Sequence, residues 1–357
     1  MLCPLPSALR PRTPDLPFMV DTDHIQLAHG GGGQLTAELI EQVILPILGG
    51  QDAAALKDAA VLERFAGRPA FTTDSYVVQP LEFPGGDIGR LAVCGTVNDL
   101  AVVGARPRAI SLGLVLEEGL EIVLLRRVLG SIAQAAGEAG VAVVTGDTKV
   151  VQRGGVEGMI LNTSGLGEVM PEAKLGFDRV RTGDRIVLSG PLGEHGLAIM
   201  SHRKDLSFTA DLRSDCAPLN ALTAALVGRL GEAVRFMRDP TRGGLAATLV
   251  ELARSCGHDV EVDEASIPVN RTARAVAEML GFDLMTVANE GKLVAVVAPE
   301  KSEEARSILA DSPIGRRAAV IGVIGPVTAC PLVEMVTSIG GRRIVQMPYG
   351  EELPRIC

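Results

Sequence analysis

The chain has no tryptophan and only two tyrosines, and aromatic residues make up 3% of its 357 positions. That scarcity argues against a carbohydrate platform and against a stacking surface for single-stranded nucleic acid. Positive charge is short as well: 34 Lys and Arg against 43 Asp and Glu leave a net charge of −9. Neither nucleic acid nor an anionic membrane surface is an expected partner for such a balance. No apolar run approaches the roughly 18–20 residues of a membrane span. Pro4, Pro6, Pro11, Pro14 and Pro17 occupy the stretch where a secretory signal would carry its apolar segment. Residues 1–22 read as a disordered extension and the chain as cytoplasmic. None of the six cysteines (Cys3, Cys94, Cys216, Cys256, Cys330, Cys357) stands in a CxxC pair, so neither a zinc site nor a disulfide framework is suggested. GxxxxGK[ST] and GxGxxG are missing too, which removes the P-loop and the dinucleotide fingerprint.

What is present is 47% apolar residues and 41 glycines, enough to bury a large core and more than one domain usually needs. Strand-like and helix-like periods alternate twice along the chain. In the first half, strands are expected at 109–116, 141–145 and 158–169. A helix over 121–139 carries Ile122, Leu125, Val128, Leu129, Ile132 and Ala136 on one face. In the second half, strands are expected at 185–189, 293–298 and 318–324, with helices near 194–201, 219–230, 245–256 and 300–309. The expected fold class is α/β, of the α+β type, with domains at 23–170 and 171–345.

Residues 346–357 read as a flexible arm, because Pro348, Gly350 and Pro354 keep them out of helix and central strand. Fully extended, those residues reach about 40 Å. The arm ends on Cys357, and a thiol at the tip of an arm can be loaded, carried and presented. A frayed terminus with an accidental cysteine is the plain alternative.

Several short segments put glycine or small residues beside charge, and each is read as a loop. His29-Gly30-Gly31-Gly32-Gly33 precedes a helical stretch, so bare amides and a helix N-terminus could wrap an anion there, or the run could be a linker. Asp74, Asn98, Asp99 and Asp147 sit in Thr72–Ser75, Thr96–Leu100 and Thr145–Lys149, where strands or helices are expected to end. An acidic protein that binds phosphates needs metal ions, and Asp, Asn and Thr oxygens suit Mg²⁺. Turn or capping roles compete with that reading. Lys149 offers a point charge to a phosphate or a developing oxyanion. Arg238-Asp239-Pro240-Thr241-Arg242-Gly243-Gly244 repeats the pattern before a second helix. Glu290, in Asn289-Glu290-Gly291-Lys292, is either a salt-bridge partner of Lys292 or Arg242 or a general base.

Together His29 and its glycines, Phe71-Thr72-Thr73-Asp74-Ser75-Tyr76, Asn98-Asp99, Thr145-Gly146-Asp147-Thr148-Lys149, Asp239-Pro240-Thr241-Arg242, Asn289-Glu290-Gly291-Lys292 and Pro354-Arg355-Ile356-Cys357 resemble the HypE family, the carbamoyl dehydratases of [NiFe]-hydrogenase maturation. The resemblance runs from about Ile25 to the end. It implies the architecture of aminoimidazole ribonucleotide synthetase, with N-terminal domains pairing across a homodimer. It also implies that the carbamoyltransferase HypF loads Cys357, that ATP with Mg²⁺ drives dehydration of the S-carbamoyl group to S-cyanate, and that the cyanide passes to iron on the HypC–HypD complex. Carried over by position, Asp74, Asn98, Asp99, Gly146, Asp147, Thr148, Gly31 and Gly32 would bind ATP. Asp58, Asp74, Asp99 and Asp147 would hold metal, and Cys357, Lys149, Glu290 and His29 would do the chemistry. The paired aspartates frequent in the wider superfamily are reduced here to Asp58 alone. A superfamily kinase or synthetase acting on a small molecule would need the loops without the arm, and a non-enzymatic thiol carrier the arm without the aspartates.

Overall fold

A computed structural model describes residues 23–49, 59–203, 212–349 and 356. Residues 1–22, Asp58 and Cys357 lie outside the described residues. The first half comprises α1 (Gln34–Leu39) leading through a π-helical turn into α2 (Leu45–Leu48), β1 (Pro69–Tyr76), the hairpin β2 (Glu82–Phe83) and β3 (Gly86–Asp87), α3 (Ile88–Val102), β4 (Ala105–Glu117), α4 (Ile122–Ala139), β5 (Ala142–Val151) and β6 (Met159–Val169). Its sheet has the order β1-β6-β4-β5. The β1/β6 and β6/β4 pairs are antiparallel, whereas β4 and β5 run parallel and are joined through α4.

Alternation along β4 sends Leu112, Leu114 and Leu116 into the core. There α3 lies along the sheet with α4 packed against it. The stripe on α4 is as expected, with Ile122, Leu125, Val128, Leu129, Ile132 and Ala136 all buried. Gly140 ends that helix in the left-handed region, φ 66°, a conformation glycine adopts without steric cost. The opposite face of the sheet is left exposed, and Phe71 on it is 68% accessible.

The second half comprises β7 (Arg185–Leu188), α5 (Glu194–Arg203), α6 (Asn220–Leu230), β8 (Val234–Arg238), α7 (Gly244–Cys256), β9 (His258–Asp263), α8 (Arg271–Leu280), β10 (Val294–Val297), α9 (Ser302–Ala310), β11 (Ala319–Val327), β12 (Val333–Val336) and β13 (Arg342–Val345). Its seven strands are ordered β13-β12-β9-β11-β7-β10-β8. Both faces are covered, so β10 is apolar at every position: Val294 and Val296 pack into the α7 side, Ala295 and Val297 into the α6 and α9 side. One core cluster crosses between the halves, joining Phe83, Leu91 and Cys94 to Leu197, Leu212, Val287 and Ile356.

The expectation of loops at the acidic segments is corrected. Thr72–Ser75 lies within β1, Thr96–Leu100 within α3 and Thr145–Lys149 within β5. Helix α3 escapes periodicity because 13 of its 15 residues are buried, which leaves no polar stripe to set against an apolar one.

Candidate active site

β1 and α3 bring two carboxylates to one surface. Thr72, two residues before Asp74 and therefore on the same face of the strand, donates its hydroxyl to Asp99 Oδ2 at 2.7 Å. Burial raises the Asp99 carboxyl, against the opposing pull of the Thr72 hydrogen bond. Asp239, just past the end of β8, faces the same group from the second half. Burial, then the charges of Asp99 and Asp74, lift it to about 7 despite Arg238. Arg242 reaches to 3.9 Å from Asp74. Among the described residues no three carboxylate, thiol or imidazole groups converge as a ready metal cage.

Glu290 lies in the loop between α8 and β10, buried, with its Oε1 lacking any hydrogen-bond partner. Burial first, then the charges of Asp239, Asp215 and Asp74, push its carboxyl well above the usual range. Burial without a counter-charge favours the neutral form of a carboxyl. Backbone contacts fix the loop: Glu290 N–H and Gly291 N–H donate to Asp215 at 3.2 and 3.3 Å, and Asn98 donates to the Glu290 carbonyl at 3.1 Å. Asn98 also donates to Ala217 O and accepts from Leu219 N–H, so its amide is fully engaged in stitching α3 to the second half. Of the two roles open to Glu290, the pairing with Lys292 or Arg242 does not form. Lys292 pairs with Glu194 and Asp215, each at 3.0 Å, and Arg242 with Asp74.

A third group, His195 with Ser214, carried no signal in the sequence. Ile356 is 4% exposed, and its carbonyl lies 2.6 Å from His195 Nε2 at the start of α5. His195 Nδ1 meets Ser214 Oγ at 2.8 Å. Sequence reasoning missed His195, Ser214 and Asp215. It touched Asp239 only as part of the segment before α7.

The remaining expected residues gather elsewhere. β5 is separated from β1 by two strands, so Asp147 and Asp74 stand about 14 Å apart at ordinary strand spacing. They also occupy opposite faces: Asp147 aligns through Gly113 and Asn162 with Ser75, whereas Asp74 aligns through Thr163 and Leu112 with Gly146. Lys149 Nζ is 3.0 Å from Asp147 Oδ1, both exposed, and the Thr148 N–H also donates to that oxygen. Gly146 is needed by packing, since a Cβ there would lie 2.5 Å from Leu112 O. His29, on the short turn Leu27–Gly30, is buried next to β5, where Gly30 packs on Val150. Its Nδ1 accepts from Gln26 N–H at 2.9 Å and its Nε2 has no partner. The amides of Gly31 and Gly32 are engaged inside their own turn, by Ala28 O and Thr36 Oγ1. One chain thus gathers Asp74, Asp99, Asp239 and Glu290 in one place, whereas Asp147 and Lys149 pair on the exposed face of β5 and His29 is buried in the turn beside that strand.

The two halves match the families described as AIR synthase related protein, N-terminal domain, over residues 50–169, and AIR synthase related protein, C-terminal domain, over residues 181–329. Carbamoyl dehydratase HypE of Rhodobacter capsulatus is 46% identical over 338 residues, covering 94% of this chain and 98% of that protein. A crystal structure of the hydrogenase maturation protein HypE in complex with ATP superposes with a TM-score of 0.87 at 45% identity, covering 93% of this chain and 99% of that one. HypE in a HypE–HypF complex superposes with a TM-score of 0.76 at 41% identity, over 87% and 99% of the two chains. No helix among the described residues is long and apolar enough to cross a membrane. With relatives this similar along nearly its whole length, the chain belongs to the HypE family of carbamoyl dehydratases, enzymes of hydrogenase maturation.

Proposed function

We propose that the protein dehydrates an S-carbamoyl group on its own Cys357 to S-cyanate at the expense of ATP, supplying the cyanide ligands of the [NiFe]-hydrogenase iron. The observation that carries this reading is the seating of the penultimate residue: Ile356 is buried on His195, and the next residues of the His195 scaffold, through Asp215, hold the Glu290 loop. The arm and the unpartnered carboxyl therefore share one support. A relative binds ATP, and another forms a complex with HypF, which fits ATP as co-substrate and HypF as the partner that loads the thiol. The HypC–HypD complex is the recipient in this reading.

When bound, ATP supplies the phosphoryl group that turns the carbamoyl oxygen into a leaving group, and Mg²⁺ offsets the phosphate charge. In this reading Asp74 and Asp99, brought to one surface by β1 and α3, would hold that ion. Mg²⁺ keeps several waters and takes one or two carboxylates plus phosphates, so a site with no complete protein cage fits it. Glu290, whose buried carboxyl has an unpartnered oxygen, is the group that would accept an N–H proton as the oxygen leaves with the phosphoryl group, the proton then passing to phosphate. Arg242, 3.9 Å from Asp74, would offset part of the accumulating negative charge. The balance is R–S–CO–NH₂ plus ATP giving R–S–CN, ADP and phosphate. The exposed face of the first sheet, with Phe71, Asp147 and Lys149 on it, is the surface through which a second copy pairs; light scattering of Phe71→Glu, expected monomeric, tests that. Intact-mass analysis after incubation with HypF, carbamoyl phosphate and ATP tests the reaction: the carbamoyl adduct should give way to a species lighter by one water.

A further inference from the structure

We infer that His195, oriented by Ser214, is the positioning residue that seats the C-terminal arm for dehydration, by donating a hydrogen bond to the peptide carbonyl directly before the thiol-bearing residue. The inference rests on the reading that Cys357 carries the reacting group.

The tautomer follows from the partners. A carbonyl oxygen only accepts, so the 2.6 Å contact to Ile356 O requires the proton on Nε2. Nδ1 then holds a lone pair, and the Ser214 hydroxyl 2.8 Å away must donate to it. Ser214 Oγ is free to do so because it accepts in turn from Cys216 N–H at 3.1 Å. Donors thus run one way, from Cys216 through Ser214 and His195 to Ile356. The ring is fully buried, which lowers its pKa against the opposing effects of Asp215 and the Ile356 carbonyl, and a neutral ring is what this arrangement needs.

The support comes from both halves of the chain. Phe83 meets the imidazole edge-on, ring centres 5.6 Å apart at 88°. Ser214 N–H donates to Pro84 O at 2.8 Å. Gly85, at φ 95°, lets this hairpin press close, since a Cβ there would sit 2.7 Å from Ser214 N and O. Arg90 Nε donates to Cys216 O at 2.9 Å. Between these two anchored residues stands Asp215, which receives Glu290 N–H and Gly291 N–H and pairs with Lys292. Ser214 therefore faces the arm and Asp215 the Glu290 loop, so seating the arm and placing the reacting carboxyl are set by adjacent residues. Recognition has two parts: the His195 hydrogen bond reads the backbone, and the buried Ile356 side chain reads shape.

The test compares His195→Ala, His195→Gln and Ser214→Ala with the unaltered protein, each loaded by HypF and carbamoyl phosphate and then given ATP in a single turnover followed by intact mass. His195→Ala should load as the unaltered protein does and convert about ten- to a hundred-fold more slowly, the cost of one lost buried hydrogen bond with an orphaned acceptor. His195→Gln, whose amide places a donor near Nε2, should recover most of the rate. Ser214→Ala should fall between, because Nδ1 loses its donor and the wrong tautomer competes. Release of the Ile356–Cys357 dipeptide by trypsin should rise in the same order as conversion falls, and it carries the test through Ser214→Ala should His195→Ala not fold. A folded His195→Ala that converts at the unaltered rate, or a His195→Gln no better than His195→Ala, overturns the inference while leaving the reaction in place. Failure of the loaded unaltered protein to convert overturns the reading beneath it.

Discussion

The ammonium of Lys292 lies 3.0 Å from Asp215 and 3.0 Å from Glu194, and by pairing there it leaves the neighbouring Glu290 without a counter-charge. All three ion-pair members are largely buried. Burial raises Asp215, but the Lys292 ammonium, and after it the hydrogen bond from Glu290 N–H, outweigh it and hold the group below the usual carboxylate range. Lys292 is likewise held above its ordinary value, burial being outweighed by Asp215 and Glu194.

Removing one member of such a pair strands buried charge, and Lys292→Met should cost about 3–5 kcal/mol of stability. Because the folded Asp215 is depressed, its contribution is present above its unfolded pKa of about 3.9 and is lost as pH falls through the folded value. The gap between the unaltered protein and Lys292→Met in thermal melts should be widest near neutrality and close in acid. A gap unchanged by acid would remove Asp215 from the account.

Asp239 titrates the other way. Its folded value of about 7 lies above the unfolded one, so the folded state binds the extra proton between the two and stability falls as pH rises through that window. A shift of about three units corresponds to at most about 4 kcal/mol. Asp239→Asn should unfold at higher denaturant than the unaltered protein at pH 8, and by little at pH 4. Equal midpoints at pH 8 would mean that the charge is compensated by groups not identified around it.

The legible parts of the chain were those where one face of an element meets water. The α4 stripe and the alternation of β4 announce themselves for that reason. Asp74, Asn98, Asp99 and Asp147 were singled out by type and placed wrongly, in loops, because α3 is buried nearly all round and because β1 and β5 carry polar residues along sheet edges. His195 was invisible: a single histidine at a helix start gives no pattern, and what makes it notable is a carbonyl 161 residues away. Pairing of Lys292 with Glu194 and Asp215 was beyond reach for the same reason, since sequence neighbours suggested Glu290 instead.

Separation of the two acidic groups gives different expectations for their members. Asp99→Asn should weaken ATP–Mg²⁺ binding tenfold or more, about 1.4 kcal/mol or above, with little change in melting temperature, as measured by calorimetry. Asp147→Asn, on the exposed face, should weaken binding only where a second copy closes against β5. Its effect should therefore vanish in a monomeric Phe71→Glu background. An Asp147→Asn effect that persists in monomers would place β5 in the same chain's site.

Gly85→Ala should destabilise by about 1–3 kcal/mol, the cost of a non-glycine residue forced into the left-handed region, with the clash on Ser214 added. Differential scanning calorimetry measures it directly. A neutral substitution would mean that the hairpin can retreat from Ser214 without loss.

The most direct measurement is intact mass on Glu290→Gln loaded by HypF and then supplied with ATP and Mg²⁺. Glutamine keeps the size of the side chain and one donor but cannot take up a proton, so the carbamoyl adduct on Cys357 should accumulate and persist, while Cys357→Ala takes up no carbamoyl at all. Formation of the dehydrated species by Glu290→Gln at the unaltered rate, or carbamoylation of Cys357→Ala, would contradict the account.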